Sequence, residues 1–560
     1  MATNPLQYVT NSYSYLTRSY SEGRRIGRYF RASWPWYISL SAYLALALAA
    51  GYYGYSYGMG GGWVITPYFV PLGVMGALAI WVMPEIRYPP VRQISKFLVA
   101  VIIAMGCWPD YIAFTTASLP WVTAMRLTGL PLLIILGICT FGSKPFRRRM
   151  GDLLRGEPWI TILWIGFLAI ALFSCLMSAE KGLSFARYFV VWYAWVSAYF
   201  ASVWYFSKEG NVRRFSYILL GICILHIIIG TYEWRYRHLP WQGHIPSFLK
   251  IEDPAVNALL AGTARAAGGS YRLQSKFSTS IGLGEFFGLA LPFILHLFFT
   301  TKRSAMKAFI LFVIIPLMLF VVVQTDSRLA FISFLSSTLL YVLYQSVMVW
   351  RVNKHNIFAP AIMFSYPVFM TIFIVVSLTW RRLSNMIWGG GAAQFSTQAR
   401  QDQIRLGMPM IWHNPLGYGI GMGARTLGYY AIGSTEPTVD SYFLTAGLEF
   451  GVIGFLVYYA IFGVALARAG FTALQAKSED VMFLGAAFVA LFNFVLSKSV
   501  YSQTENHPLS AILLGLVVAL LRRYKTETGK LPPPPSEDDL LPPTTFDYVK
   551  DWERRHEWAK

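Results

Sequence analysis

Three arginines stand in short polar runs at the edges of strongly apolar stretches. Arg272 ends Gly268-Gly269-Ser270-Tyr271-Arg272, Arg328 ends Gln324-Thr325-Asp326-Ser327-Arg328, and Arg400 leads towards Trp412-His413-Asn414-Pro415-Leu416-Gly417-Tyr418-Gly419-Ile420-Gly421. A guanidinium presents a planar fork of donors suited to phosphate oxygens, so several brought to one place would clamp a diphosphate. Taken singly, each reads equally as a loop ion pair or a lipid head-group contact. Arg126, Arg265 and Arg405 are further candidates for binding the same anion. The glycines Gly417, Gly419 and Gly421 offer backbone amides to it, because successive N–H groups in a glycine-rich turn form an anion-binding concavity. A tight turn that only lets the loop pack is the alternative, and the run lacks the Gly-Lys-Ser/Thr ending of a phosphate-binding P-loop.

Group transfer also needs a base, and Glu285, Asp440 and His413 are the candidates, in that order. Glu285 falls inside an apolar stretch, where a carboxylate is a functional candidate by default; its alternative role is a structural ion pair with a buried arginine. His413 serves as readily in a structural hydrogen bond. No cluster of His, Asp and Glu has metal-site spacing, and no Asp-x-Asp pair occurs on the outward side, so no metal or other cofactor is expected.

The elements that must position these residues are membrane spans. Of the 560 residues 55% are hydrophobic and only 13% charged, about half the charge of an ordinary soluble chain. Runs long enough to cross a hydrocarbon layer of about 30 Å centre on Leu46, Val74, Ile102, Leu133, Phe167, Trp195, Ile224, Leu289, Ile315, Leu335, Val368, Leu456, Val489 and Leu516, which is 14 spans. The fold class expected is therefore all-α, a polytopic transmembrane helix bundle. Cytoplasmic loops collect Lys and Arg, and with the first segment inside, 31 of the 47 basic residues fall on the inner side. Both ends of the chain then lie in the cytoplasm. Orientation and anionic lipid account for the net charge of +20, and no nucleic-acid motif competes with them. The four cysteines lie in or beside spans without CxxC spacing, which points to neither a disulfide framework nor a zinc site.

The reading divides the chain into a cytoplasmic segment 1–33, a bundle over 34–522 and a Pro-rich cytoplasmic tail 523–560. Two outward loops interrupt the bundle, 233–278 and 380–440. Loops of this length are uncommon in compact folds unless they are functional or disordered, and Trp241, Phe248, Leu259 and Trp388 give these something to bury. The candidate arginines all lie outward or near the outer ends of spans, against the orientation rule, so something should compensate them.

The run from Arg400 through Pro415-Leu416-Gly417-x-Gly419-x-Gly421 to Asp440 and Glu449-x-Gly451 resembles the signature region of the O-antigen ligase and polymerase superfamily of bacterial membrane glycosyltransferases. Arg126, the Arg272 segment leading to Gly288 and Leu291-Pro292, and Ser327-Arg328 occur in the superfamily's order, so the similarity extends over roughly 119–454. The resemblance implies an inner-membrane enzyme with a periplasmic active site. It implies transfer of a glycan from undecaprenyl diphosphate, either to another lipid-linked repeat (polymerases) or to lipid A core or protein (ligases). Arginines would stabilise the leaving diphosphate, and direct attack with inversion would need no covalent carboxylate.

Family ligases typically begin the helix after the signature with His-Asn, the histidine being their candidate base, whereas this chain has Asp440-Ser441. A polymerase of exopolysaccharide or O-antigen type is therefore the first reading, and an O-antigen ligase or protein O-oligosaccharyltransferase the second. A polysaccharide transporter or flippase would also want outward cations, but transporters usually repeat a half with matching broken helices, and no such pairing is visible. The partners implied are undecaprenyl-diphosphate-linked glycans and the bilayer, with room for polysaccharide export or chain-length proteins.

Overall fold

In hydrocarbon every backbone polar group must be bonded within its own segment, so apolar runs of this length fold as helices. The computed structural model describes residues 88–116, 119–251, 254–260, 271–380, 392–430 and 436–536, with a few isolated positions besides. The segment 1–33, the first two expected spans, Arg265 and the end of the Pro-rich tail lie outside the described residues. From Ile102 onward, every expected span centre falls in a helix.

In chain order the elements begin with α1 (Val91–Cys107), a hairpin of β1 (Phe114–Thr116) and β2 (Leu119–Val122), α2 (Ala124–Gly142), α3 (Lys144–Leu154) and α4 (Pro158–Met177). Next, α5 (Lys181–Val191) runs through a π-helical turn, Trp192–Val196, into α6 (Ser197–Phe206), followed by α7 (Asn211–Tyr236), the short α8 (Pro254–Leu260) and α9 (Ser280–Thr300). A second π turn, Ile310–Ile314, joins α10 (Ser304–Phe309) to α11 (Ile315–Gln324), and α12 (Arg328–Val352) and α13 (Phe358–Thr379) follow. The chain ends in α14 (Ala392–His413), α15 (Gly423–Leu427), α16 (Tyr442–Ala473), α17 (Phe483–Lys498) and α18 (His507–Glu527). Among the described residues nine helical segments are long and apolar enough to span a membrane. The helices α1, α17 and α18 occupy three more expected centres; α1 and α17 have only 17 and 16 residues.

Successive long helices reverse direction, which gathers the basic turns at one end. There Arg522 pairs with Asp152 at 2.7 Å, Arg213 with Glu479 at 3.1 Å and Arg468 with Glu157 at 3.1 Å, and Arg523 pairs with Asp480. The opposite end holds Arg272, Arg328, Arg400 and the glycine run. The helix α9 is almost wholly buried and forms the centre of the bundle, whereas α13 is almost wholly exposed and packs on α12. Small residues let α9 and α12 approach: a Cβ on Gly284 would lie 2.2 Å from Ala330 Cβ, and one on Gly288 2.8 Å from Ser333 Cβ. This small-xxx-small spacing is a common way for membrane helices to touch, and here it docks the first turn of α12, with Arg328, beside the start of α9.

Within the interval 380–440, α14 contributes 22 helical residues. The β1–β2 hairpin region after α1 packs on the loop 233–278: Ala113 N donates to Leu249 O at 3.2 Å, and Tyr111, Ile112 and Leu239 form a small apolar cluster there. At the other end the start of the tail docks on the bundle, with Arg149 donating to Pro535 O and Arg522 to Pro532 O.

Candidate active site

The three signature arginines are linked by side-chain and backbone contacts. Arg272 Nε donates to Thr325 O at 3.1 Å, three residues before Arg328. Arg328 Nη2 donates to Thr397 Oγ1 at 3.4 Å, and Thr397 stands almost one helical turn before Arg400 on α14. Arg400 Nε lies 3.7 Å from Asp440 Oδ2. The chain of contacts then closes: Ser502 Oγ donates to Val439 O, next to Asp440, and Ser278 N donates to Glu505 Oε1 at 3.0 Å, which leads back to the Arg272 segment. Five parts of the sequence, 271–280, 324–328, 397–403, 439–441 and 501–506, thus meet at the end of the bundle opposite the basic turns.

Several of these segments are held tightly. Glu233, completely buried on α7, accepts from Tyr271 Oη at 2.9 Å, Ser275 N at 2.6 Å and Gln274 N at 3.4 Å. These bonds hold the Tyr271 side chain before Arg272 and the backbone after it, and Leu273 N donates to Gln324 O at 3.3 Å. Ser275 and Asp326 have φ of 53° and 47°, a left-handed conformation that is uncommon for residues other than glycine. Strain of this kind persists only where the surroundings impose it. Asp440 is positioned by its backbone N donating to Gln403 Oε1 at 2.8 Å. Burial pushes its carboxyl above the ordinary range, opposed by the nearby Arg400 guanidinium.

Of the other expected site residues, Glu285 adjoins this group through Asn506, whereas His413, Arg405 and Arg126 are placed apart from it. Glu285 is fully enclosed: its carboxylate pairs with Lys498 Nζ at 2.9 Å and accepts from Asn506 Nδ2 at 2.9 Å, with both partners of the ion pair wholly shielded. This is the ion pair weighed for it from the sequence, with a lysine as partner instead of an arginine. His413 is exposed at the end of α14. Arg405 is exposed too, and five positions beyond Arg400 it projects about 140° away around the helix. Arg126 donates to Tyr193 Oη at 3.4 Å and to Trp121 O, in a neighbouring cluster.

The glycine run spends its amides on the protein. Tyr418 N donates to Leu448 O at 2.8 Å, Gly419 N to Glu449 O at 3.1 Å and Gly417 N to Asn414 O at 3.1 Å, so the geometry favours the tight-turn alternative over an anion cradle. The carbonyls of Leu448 and Glu449 are exposed to these donors because α16 breaks at Gly451, whose φ is 68°. A Cβ there would come within 1.9 Å of Pro415 O. The Glu449-Phe450-Gly451 element is therefore the socket for the Pro415–Gly419 turn, and Glu449 Oε1 also accepts from Gly423 N at 3.4 Å. On its other side the run touches α5, where a Cβ on Gly421 would lie 2.7 Å from Arg187 Cγ.

Sequence reasoning missed Glu233, Glu505 and Lys498. The last was legible: a lone lysine in an apolar helix calls for a buried carboxylate, and Glu285 is one. Glu233 and Glu505 carried no local signal, since each acts on backbone far away in the chain.

A polytopic helical membrane protein with a ring of arginines and carboxylates at one end of its bundle defines the class. Residues 313–459 match the family model Wzy_C, described as O-antigen ligase. The match covers 147 of the 560 residues and supports membership of the O-antigen ligase superfamily, and with it a membrane enzyme of the O-antigen ligase and polymerase type. The matched stretch holds Arg328, Arg400, Asp440 and the break at Gly451. No curated protein matches the chain significantly.

Proposed function

We propose that the protein is a glycosyltransferase of the bacterial inner membrane, its ends cytoplasmic, that polymerises oligosaccharide repeats carried on undecaprenyl diphosphate at the periplasmic face. The observation that carries this reading is the contact chain through Arg272, Thr325, Arg328, Thr397, Arg400 and Asp440. The arginines hold the diphosphate and stabilise the charge that develops on it as the glycosidic bond to phosphate breaks, the kind of preorganised electrostatic stabilisation that dominates many transfer reactions. The acceptor hydroxyl loses its proton to a base as its oxygen attacks the anomeric carbon with inversion, with no metal required. Asp440 is the best-placed base, beside Arg400 and raised in proton affinity by burial; Glu285 is the weakest of the three candidates because Lys498 and Asn506 occupy it.

Asp440-Ser441 in place of His-Asn supports polymerisation over ligation, while the description of the matching family favours a ligase. Sizing the glycan in a deletion strain decides between them. Loss of the polymerase leaves single repeats on carrier or acceptor; long chains accumulating on the lipid carrier instead would establish a ligase.

A further inference from the structure

At the end of the bundle remote from the arginine ring, the start of α4, the end of α16 and the end of α18 enclose a cavity of about 440 Å³. Its lining is chemically divided. Arg468, Lys525 and Lys530 line it with positive charge, against one carboxylate, Glu157. Trp159 and Phe471, 58% and 73% exposed, supply an apolar lip on helices long and apolar enough to span the membrane.

The cations are only lightly used by the protein. Arg468 meets Glu157 through Nε at 3.1 Å, and its two terminal nitrogens make no hydrogen bond within the described residues. Lys525 Nζ reaches a single carbonyl, Arg155 O, at 3.4 Å, and Lys530 Nζ lies 5.7 Å from the Tyr524 ring centroid. Next to the lining residue Glu157, Gly156 is pressed so closely on α18 that a Cβ would meet Val518 O at 2.1 Å. Net positive charge, free donors and an aromatic lip at the end of two spanning helices match an amphiphile whose head is anionic and whose tail is hydrocarbon. Basic pockets between helices on the cytoplasmic side take such head groups.

We propose that this cavity binds the phosphate head group of an anionic phospholipid, with Arg468, Lys525 and Lys530 on the phosphate and the acyl chains leaving over Trp159 and Phe471. The site is separate from the arginine ring and would stand if the polymerase reading failed.

The test uses the full chain purified in neutral detergent, with bound lipid counted by native mass spectrometry during titration with phosphatidylglycerol or phosphatidylcholine. Phosphatidylglycerol should bind at least tenfold more tightly than phosphatidylcholine. The triple variant Arg468→Gln/Lys525→Gln/Lys530→Gln should lose on the order of a hundredfold in affinity for it, while Lys354→Gln, on another basic turn, should lose none. Equal binding of the two lipids, or an unchanged triple variant, overturns the proposal. Displacement of the lipid by millimolar inorganic phosphate would also overturn it, by assigning the site to a soluble anion. Should the triple variant aggregate, Glu157→Gln gives the answer, since removing the competing carboxylate should tighten phosphatidylglycerol binding, and no change would reject the site.

Discussion

Breaking the buried pair between Glu285 and Lys498 separates a structural from a catalytic role for this carboxylate. Both side chains are wholly shielded, 2.9 Å apart, and Lys498 Nζ also donates to Gln503 O at 2.7 Å. Lys498→Met removes the cation and leaves a carboxylate without a counter-charge in a low-dielectric interior. Breaking such a pair costs about 3–5 kcal/mol, roughly a hundredfold to several-thousandfold in the ratio of folded to unfolded protein. Part of that is recovered if Glu285 takes up a proton, since a buried isolated charge neutralises itself. The double variant Glu285→Gln/Lys498→Met removes both charges and keeps an acceptor for Asn506 Nδ2, so it should return to within about 1 kcal/mol of the wild type. Thermal unfolding in detergent, followed by the loss of the monodisperse peak on size exclusion, reads the stability. Glycan length on a gel after complementation of a deletion strain reads the activity. The single variant should be unstable, and the double variant both stable and active. A stable double variant that makes no polymer would refute the structural assignment and return Glu285 to the reaction; a single variant as stable as the wild type would refute the reasoning about the pair itself.

Replacing Arg272, Arg328 or Arg400 by Lys keeps the charge but loses the bidentate fork; each should lower polymer formation at least tenfold with normal membrane insertion, and wild-type output from all three would reject the diphosphate clamp. Asp440 acts as base only when ionised, and burial places its proton affinity above the ordinary carboxylate range. Turnover should therefore rise with pH through a midpoint above that of an ordinary aspartate, and Asp440→Asn should abolish both the limb and most of the activity; a retained limb in that variant would point to another base. Gly451→Ala puts a Cβ within 1.9 Å of Pro415 O at a positive φ, so it should destabilise by roughly 1–3 kcal/mol and reduce activity by displacing the signature turn, with thermal unfolding as the check. Cysteine labelling from the periplasm should reach Ser396→Cys and not Ser536→Cys; the reverse pattern would invert the topology.

Much of the architecture was decided by the sequence alone. Hydrocarbon allows backbone polar groups no partners outside their own segment, so apolar length is enough to give helices and approximate centres. The bias of Lys and Arg gave the grouping of turns at each end, which the ion pairs of Asp152, Glu157, Glu479 and Asp480 now display. The order of Arg272, Arg328 and Arg400 pointed to one site because each lay on the wrong side of that bias. What each residue does there was decided only by tertiary packing. The glycine run read equally as an anion cradle and a turn until the break at Gly451 supplied carbonyls for its amides. Glu285 read equally as a base and as half of an ion pair, and its partner, Lys498, stands 213 positions later in the chain. Glu233 and Glu505 were silent for the same physical reason: a carboxylate's partner is set by which helices touch, and that depends on small residues such as Gly284 and Gly288 meeting Ala330 and Ser333 across the bundle.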